Sequence, residues 1–380
     1  MQYVQYGQTD SEVSRFGLGC MRFPPNRTEA IEMVRYAIDH GVNYLDTAYV
    51  YMDSEDILGE ALQDGYRERI NLVSKAPLWN IREYADFEKE LDVSLKRLGT
   101  DYLDVYLLHN LYDANLRKAR QLDGSGFLDE MITKGKIRYK GFSMHNSYEA
   151  FIDFVDDYRW DAAQIQLNIL DVNMQVGQKG LRYGAEKGLA MVIMEPLRGG
   201  TIISDMPPEV AELIAANPEK RSLVEWCFLW LYKQPEATVI LSGTSTLDQL
   251  KENLDIFERA ENGALTNEEI RFIARLRQAY QKTAVVGCTA CRYCQPCPHG
   301  VKIPDCFAVY NSFIISGRRA MSDQVYYTNG IASKGFGADK CEHCDECVDK
   351  CPQRLPIPEL LEELHATLTG GLPPRFTDTD

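Results

Sequence analysis

From residue 1 to about 282, short apolar runs alternate with longer stretches of helical periodicity, as expected of strand–helix units around a parallel sheet. Residues 16–18, 43–46, 70–75, 103–108, 139–143, 162–167, 190–194 and 238–241 predict eight strands. Between them lie amphipathic segments. One carries Phe87, Leu91, Leu95 and Leu98 and stops at Gly99; another carries Leu247, Leu250, Leu254 and Phe257. Eight such units predict an α/β fold closed as a (β/α)8 TIM barrel in preference to a doubly wound open sheet. An open dinucleotide-binding sheet would also want G-x-G-x-x-G after its first strand, and Gly17-Leu18-Gly19-Cys20-Met21-Arg22 fails at the third glycine.

Near Lys282 the periodicity ends and a cysteine-rich segment begins, and a chain of 380 residues has room for roughly two to three domains. The expected division is a barrel over 1–282, a smaller, mainly helical ferredoxin-like iron–sulfur domain over 283–370 and a flexible acidic tail over 371–380. Nine of the 11 cysteines lie between Cys288 and Cys351. Cys288, Cys291, Cys294 and Cys297-Pro298 form C-x2-C-x2-C-x2-C-P; Cys341, Cys344, Cys347 and Cys351-Pro352 form C-x2-C-x2-C-x3-C-P. The second is the bacterial ferredoxin run, in which three thiolates hold one cubane and the cysteine before proline ligates the other. That exchange predicts two [4Fe-4S] clusters, one on Cys288, Cys291, Cys294 and Cys351, the other on Cys341, Cys344, Cys347 and Cys297. The first run is one residue short of the usual spacing. Paired C-x2-C motifs also hold structural zinc, but three thiolates at consecutive x2 spacing followed by C-P, twice over, exceed what zinc requires. Cys306 has no place in the eight-ligand scheme and is expected to be a small buried residue unless the short run recruits it.

The formal net charge of −15, from 41 Lys and Arg against 56 Asp and Glu, lacks the electrostatic footprint of a nucleic-acid binder. No stretch approaches the roughly 18 consecutive apolar residues of a membrane helix, and Met1-Gln2-Tyr3-Val4-Gln5 shows no basic region followed by an apolar one. The expectation is a cytoplasmic chain with neither nucleic acid nor membrane as partner.

Active sites of such barrels sit at the carboxyl ends of the strands, where four titratable residues fall. Asp46 ends the second predicted strand, Tyr51 follows in the next loop, Lys75 ends the third strand and His109 follows the fourth. Lys75 would lower the phenol of Tyr51 from its usual value near 10, Asp46 would hold Lys75 charged, and His109 could donate to a substrate carbonyl. Singly, each has a dull alternative: a surface aromatic, a solvated strand end, a helix cap, a satisfied core histidine. Arg22 and Arg198, after the first and seventh strands, could pair with an anionic substrate, and Trp79 could form a pocket wall.

Together these residues resemble the aldo/keto reductase family, whose barrel carries an Asp, Tyr, Lys and His tetrad in this chain order. The likeness rests on Phe16-Gly17-Leu18-Gly19, Asp46-Thr47-Ala48 with Tyr51, Ser74-Lys75, Leu107-Leu108-His109, Gly141-Phe142-Ser143, Gln164, Pro196-Leu197 and Glu252-Asn253-Leu254. With its two cysteine runs the chain is similar to the branch bearing a C-terminal ferredoxin-like domain. The resemblance implies NAD(H) or NADP(H) extended across the strand ends, with Ser143 and Gln164 on the nicotinamide carboxamide and Leu197, Gly199, Ser242, Gly243, Thr244 and Asn253 lining the pyrophosphate and adenosine end. No Lys or Arg occurs in 242–249 and Asp248 adds a like charge, which favours NADH over NADPH. Met144 and His145 stand where many members have Asn after the Ser, and Met194 takes the place of a stacking aromatic.

The expected function is hydride transfer between nicotinamide and a small carbonyl or alcohol, with the clusters linking to a one-electron carrier such as a ferredoxin or flavodoxin. Two rivals stay open: an electron-transfer protein that reduces a barrel-bound substrate through its clusters, and a plain carbonyl reductase whose clusters are structural.

Overall fold

The computed structural model describes residues 1–204, 206–260, 265–282, 285–288, 292–315, 321–351 and 353–370, with Asp113 described by its backbone alone. Cys291 and the expected tail 371–380 lie outside the described residues.

Two short strands, β1 (Tyr3–Gln5) and β2 (Glu12–Ser14), form an antiparallel hairpin that the apolar pattern did not announce. Three residues are too few for a period of two to stand out. After them come β3 (Phe16–Gly19), β4 (Tyr44–Asp46), β5 (Asn71–Ala76), β6 (Leu103–Leu108), β7 (Ile137–Met144), β8 (Ala162–Gln166), β9 (Ala190–Met194) and β10 (Ala237–Ser242). All eight pair in parallel, and the barrel closes where β10 meets both β3 and β9, Ile240 standing opposite Phe16 and Ile193. This is the TIM barrel expected from the pattern, with strand ends within two residues of those predicted. Helices cover its outer face, so strands such as β6 are buried along their whole length and appear in the sequence as unbroken apolar runs.

The hairpin supplies Tyr6 and Val13 to the core, where they pack with Tyr44, Val73, Val105, Val192 and Val239. Helix Tyr84–Leu98 buries Phe87, Leu91, Leu95 and Leu98 as its spacing predicts, and Gly99, at φ 61°, ends it in the left-handed conformation glycine tolerates. Helix Leu247–Ala260 buries Leu250, Leu254 and Phe257 but leaves Leu247 at its exposed start.

The chain divides into two compact units, one of Met1–Pro196 with Leu223–Ile270, the other of Leu197–Ser222 with the chain from Arg271 onward. The second unit thus reaches further back than the change of composition near 282. Its internal bonds explain why: Arg198 pairs with Asp323 at 2.9 Å and with Ser312, and the Tyr280 hydroxyl donates to the Ile202 carbonyl at 2.5 Å. This unit is mainly helical. Helices Ile303–Ile315 and Ile357–Thr369 bury Phe307, Tyr310, Leu361, Leu364 and Leu368, and the Tyr310 hydroxyl donates to Glu363 at 2.7 Å. Cys306 is fully buried in the first of them, its Sγ turned to the Phe336 carbonyl. Among the described residues no helix is long and apolar enough to cross a membrane.

Candidate functional site

Asp46 ends β4, Lys75 lies one residue before the end of neighbouring β5, and His109 directly follows β6. The three therefore meet at one rim of the barrel, and the loop after β4 brings Tyr51 to them. The Lys75 ammonium donates to Asp46 Oδ1 and to the Thr47 carbonyl, both at 2.7 Å, and lies 5.0 Å from the centre of the Tyr51 ring. The Tyr51 and His109 rings meet edge to face, centroids 6.1 Å apart. Lys75 is 0% exposed and Asp46 3%, so water does little to screen the pair.

Burial lifts the Asp46 carboxyl above the usual carboxylate range against the pull of Lys75. Burial also opposes the charge on Lys75, but Asp46 and then Tyr51 outweigh it and keep the ammonium protonated. For Tyr51 the expected direction is reversed. Desolvation pushes its phenol above the ordinary value of 10.0, Lys75 recovers only part of that shift, and the carboxylates of Asp46 and Glu195 add to it. Tyr51 thus keeps its proton at neutral pH. Burial, aided by the positive charge of Lys75 and by His145, holds His109 well below 6.5, so its imidazole is neutral. Trp79, 41% exposed, leans on His109 with ring centroids 5.3 Å apart.

Ser143 and Gln164 stand in register on neighbouring β7 and β8. The Ser143 hydroxyl accepts the Asn110 N–H at 2.8 Å, leaving its own proton to donate. Gln164 turns its Nε2 toward the Met194 sulfur at 3.8 Å, and its buried Oε1 has no partner. An orphan acceptor beside a spare donor is what a primary carboxamide such as that of nicotinamide requires, so the residues fit the group. At the end of β10, a Cβ on Gly243 would come 3.4 Å from the Gly19 carbonyl, and one on Gly19 would come 3.3 Å from the Gly243 nitrogen, so two backbones approach without side chains between them. Asn253 Nδ2 donates to Ser242 Oγ at 3.0 Å, Thr244 is buried beside Met33, and the helix Leu247–Ala260 starts just beyond, its first N–H groups suited to an anion.

Leu197 and Gly199 fall in the other compact unit, at the short turn Arg198–Gly200, where Gly199 has φ 66°. Arg198 is corrected as a substrate residue: it is 4% exposed and committed to Asp323 and Ser312, partners more than a hundred positions away that no local pattern signals. Arg22 is exposed after β3. Two residues at the strand ends had no role assigned to them from the sequence. Glu195, directly after β9, has a left-handed φ of 55° and acts electrostatically on Tyr51; His145, directly after β7, acts on His109.

In the helical unit five cysteines line one cavity: Cys297, Cys341, Cys344 and Cys347, the four assigned to a single cubane, and Cys294, assigned to the other. Among the described residues no three His, Cys, Asp or Glu converge on one metal ion. A cubane offers each thiolate its own iron, so ligands arranged around a cavity fit it better than they fit zinc. Cys288 and Cys351 are half-buried, and their remaining partner Cys291 lies outside the described residues.

Removing the ammonium alone would leave Asp46 buried without a counter-charge. Lys75→Met should lower unfolding stability by about 3–5 kcal/mol, and adding Asp46→Asn should restore most of the loss. Denaturant unfolding of the wild type and both variants checks this; equal stability of the single and double variants would contradict the coupling.

Residues 15–277 match the aldo/keto reductase family and residues 287–355 the 4Fe-4S dicluster domain. The chain is 35% identical to the aldo-keto reductase YhdN of Bacillus subtilis, over 66% of this chain and 87% of that protein. It is 26% identical to the oxidoreductase YqkF of the same organism, over 71% of this chain and 95% of the relative. Among solved structures, the aldo-keto reductase AKR11C1 from Bacillus halodurans in its holo form superposes with a TM-score of 0.63 at 26% identity, covering 73% of this chain and 97% of that one. The barrel, the strand-end residues and these matches agree: the chain belongs to the aldo/keto reductase family, an oxidoreductase with a 4Fe-4S dicluster domain after its barrel.

Proposed function

We propose that the barrel reduces a small carbonyl substrate, with Tyr51 as proton donor. A nicotinamide bound along Ser143 and Gln164 would supply the hydride. His109, neutral, donates an N–H to the carbonyl oxygen and draws negative charge onto it; the Tyr51 hydroxyl then gives that oxygen its proton as the alcohol forms. The phenolate left behind faces the Lys75 ammonium, which Asp46 and the Thr47 carbonyl hold in place. The observation that carries this reading is the buried Lys75–Asp46 pair with the Tyr51 and His109 rings set beside it on one rim. Tyr51→Phe should lower turnover of carbonyl substrates by about 10² or more while leaving cofactor binding intact. Near-normal turnover in that variant would remove Tyr51 from the mechanism.

The cofactor end supports NADH over NADPH. Asp248 lies in the first turn of helix Leu247–Ala260, and the nearby cation Lys251 sits 5.5 Å from the Tyr36 ring centre. A 2′-phosphate beside the start of that helix would meet the Asp248 carboxylate, and the exposed Arg22, whose carbonyl accepts the Ser245 hydroxyl at 3.3 Å, is the guanidinium nearest in the fold to this loop. Binding titrations should give a lower Kd for NADH; a clearly tighter NADPH complex would refute this.

For the clusters, the exposed Cys344 supports exchange with a soluble one-electron carrier of the ferredoxin or flavodoxin kind, because a cubane ligated at the surface leaves a short path to a partner. Cys344→Ser should depress dye-linked activity with reduced viologen while nicotinamide binding persists. Unchanged dye-linked rates would make the clusters structural.

A further inference from the structure

Behind the tetrad, at the ends of β7 and β8, lies a chain of buried amides that the proposed proton transfer does not use. Asn168 is its fixed end. Its Oδ1 accepts the Leu170 and Asp171 N–H groups at 2.9 and 3.0 Å, so its Nδ2 must be the donor to Asp171 Oδ2 at 2.8 Å. Gln166 Nε2 donates to the same Asp171 oxygen at 2.9 Å. Gln166 Oε1 is therefore an acceptor and takes the Gln175 Nε2 proton at 2.8 Å, which leaves Gln175 Oε1 facing His145 Nδ1 at 3.1 Å. Each amide can point only one way once the one before it is set. An acceptor at the end of the chain requires that His145 carry its proton on Nδ1.

Two further features mark this chain as built. Gln175 holds a left-handed φ of 54° although it is not glycine, a strain that persists only where the surroundings impose it. Gln166, Asn168, Asp171 and Gln175 are all buried, where a half-satisfied network would be costlier than an apolar one. Burial also pushes the His145 imidazole down to about 4, with the Gln175 bond working against it, so the ring stays neutral and keeps a lone pair on Nε2. His145 is half-buried, and among the described residues no protein group bonds that nitrogen. His145 follows β7 and His109 follows neighbouring β6, whose Leu108 stands opposite Phe142, so the two imidazoles emerge at the same stretch of the barrel rim.

We propose that the Asp171–Gln166–Gln175 relay locks His145 with its Nε2 as a hydrogen-bond acceptor next to His109, and thereby selects substrates bearing a hydroxyl group on the carbon adjacent to the reacting carbonyl. A hydroxyl can donate to that lone pair. A methylene cannot, and a carboxylate would be repelled by it, which together with the burial of Arg198 argues against the anionic substrate the sequence left open. His145 is then a specificity residue and Gln166 and Gln175 are positioning residues.

The substrate class rests on the carbonyl-reductase reading; the relay does not. Hydroxyacetone and butanone are matched in size and differ at one hydroxyl. In anaerobic holoenzyme labelled with 15N-histidine, the His145 signal, assigned by its loss in His145→Phe, should show a protonated Nδ1 and a bare Nε2. Adding hydroxyacetone should shift the Nε2 resonance, and adding butanone should leave it in place. In turnover, kcat/KM should favour hydroxyacetone by about tenfold or more, chiefly through KM. His145→Phe should erase the preference, and Gln175→Leu should reduce it while giving a mixture of tautomers. A proton on Nε2 in the wild type would overturn the relay. Equal shifts, or equal kcat/KM, for the two ketones would overturn the selection. Wild-type enzyme that turns over neither ketone would count against the carbonyl reading, with the resonance shifts still deciding the role of His145.

Discussion

The ion pair of Lys75 with Asp46 is the constraint on which the rim of the barrel depends. Taking two charges out of water costs several kcal/mol per ion, and replacing such a pair by apolar residues is often neutral or stabilising. Stability alone therefore gives little reason for it. What the pair provides is a fixed, buried ammonium beside the phenol proposed to give up its proton. The same desolvation that strengthens this field also raises the phenol and depresses the neighbouring imidazole, assigning the two groups opposite protonation behaviour at one pH. Two titratable groups driven apart by their surroundings form the usual signature of an acid and its hydrogen-bonding partner.

Much of this was legible in the sequence, and the parts that were not share a cause. The barrel strands were readable because helices cover them and leave unbroken apolar runs, as in Leu103–Leu108. Asp46, Lys75 and His109 were readable because topology sends strand ends to one rim. The direction of the Tyr51 shift was not, since it depends on how much burial outweighs one ammonium, a quantity set only after folding. Arg198 looked like a ligand for an anion because Asp323 and Ser312 are remote in the chain. The amide relay was invisible for a similar reason: Gln166, Asn168 and Gln175 are ordinary polar residues until hydrogen bonds give them direction.

The helical unit repeats the lesson with different chemistry. Spacing alone paired Cys297 with Cys341, Cys344 and Cys347 across more than forty residues, because the exchange of the last cysteine between clusters is a property of the ferredoxin run. Those four thiols line one cavity together with Cys294 of the other expected set. Under the proposed hydride transfer, which moves two electrons and has no need of iron, clusters in the same chain would suit exchange between two-electron and one-electron chemistry.

The central claim is that the proton delivered to the substrate comes from a neutral Tyr51 and not from a histidine. The pH dependence of kcat for carbonyl reduction tests it most directly. A phenol lifted above 10.0 and an imidazole held well below 6.5 predict a rate that is level across the neutral range and falls only at alkaline pH, as the phenol ionises. A rate that climbs as the pH drops through about 6.5, and that keeps this limb in Tyr51→Phe, would place the proton on an imidazolium and contradict the account.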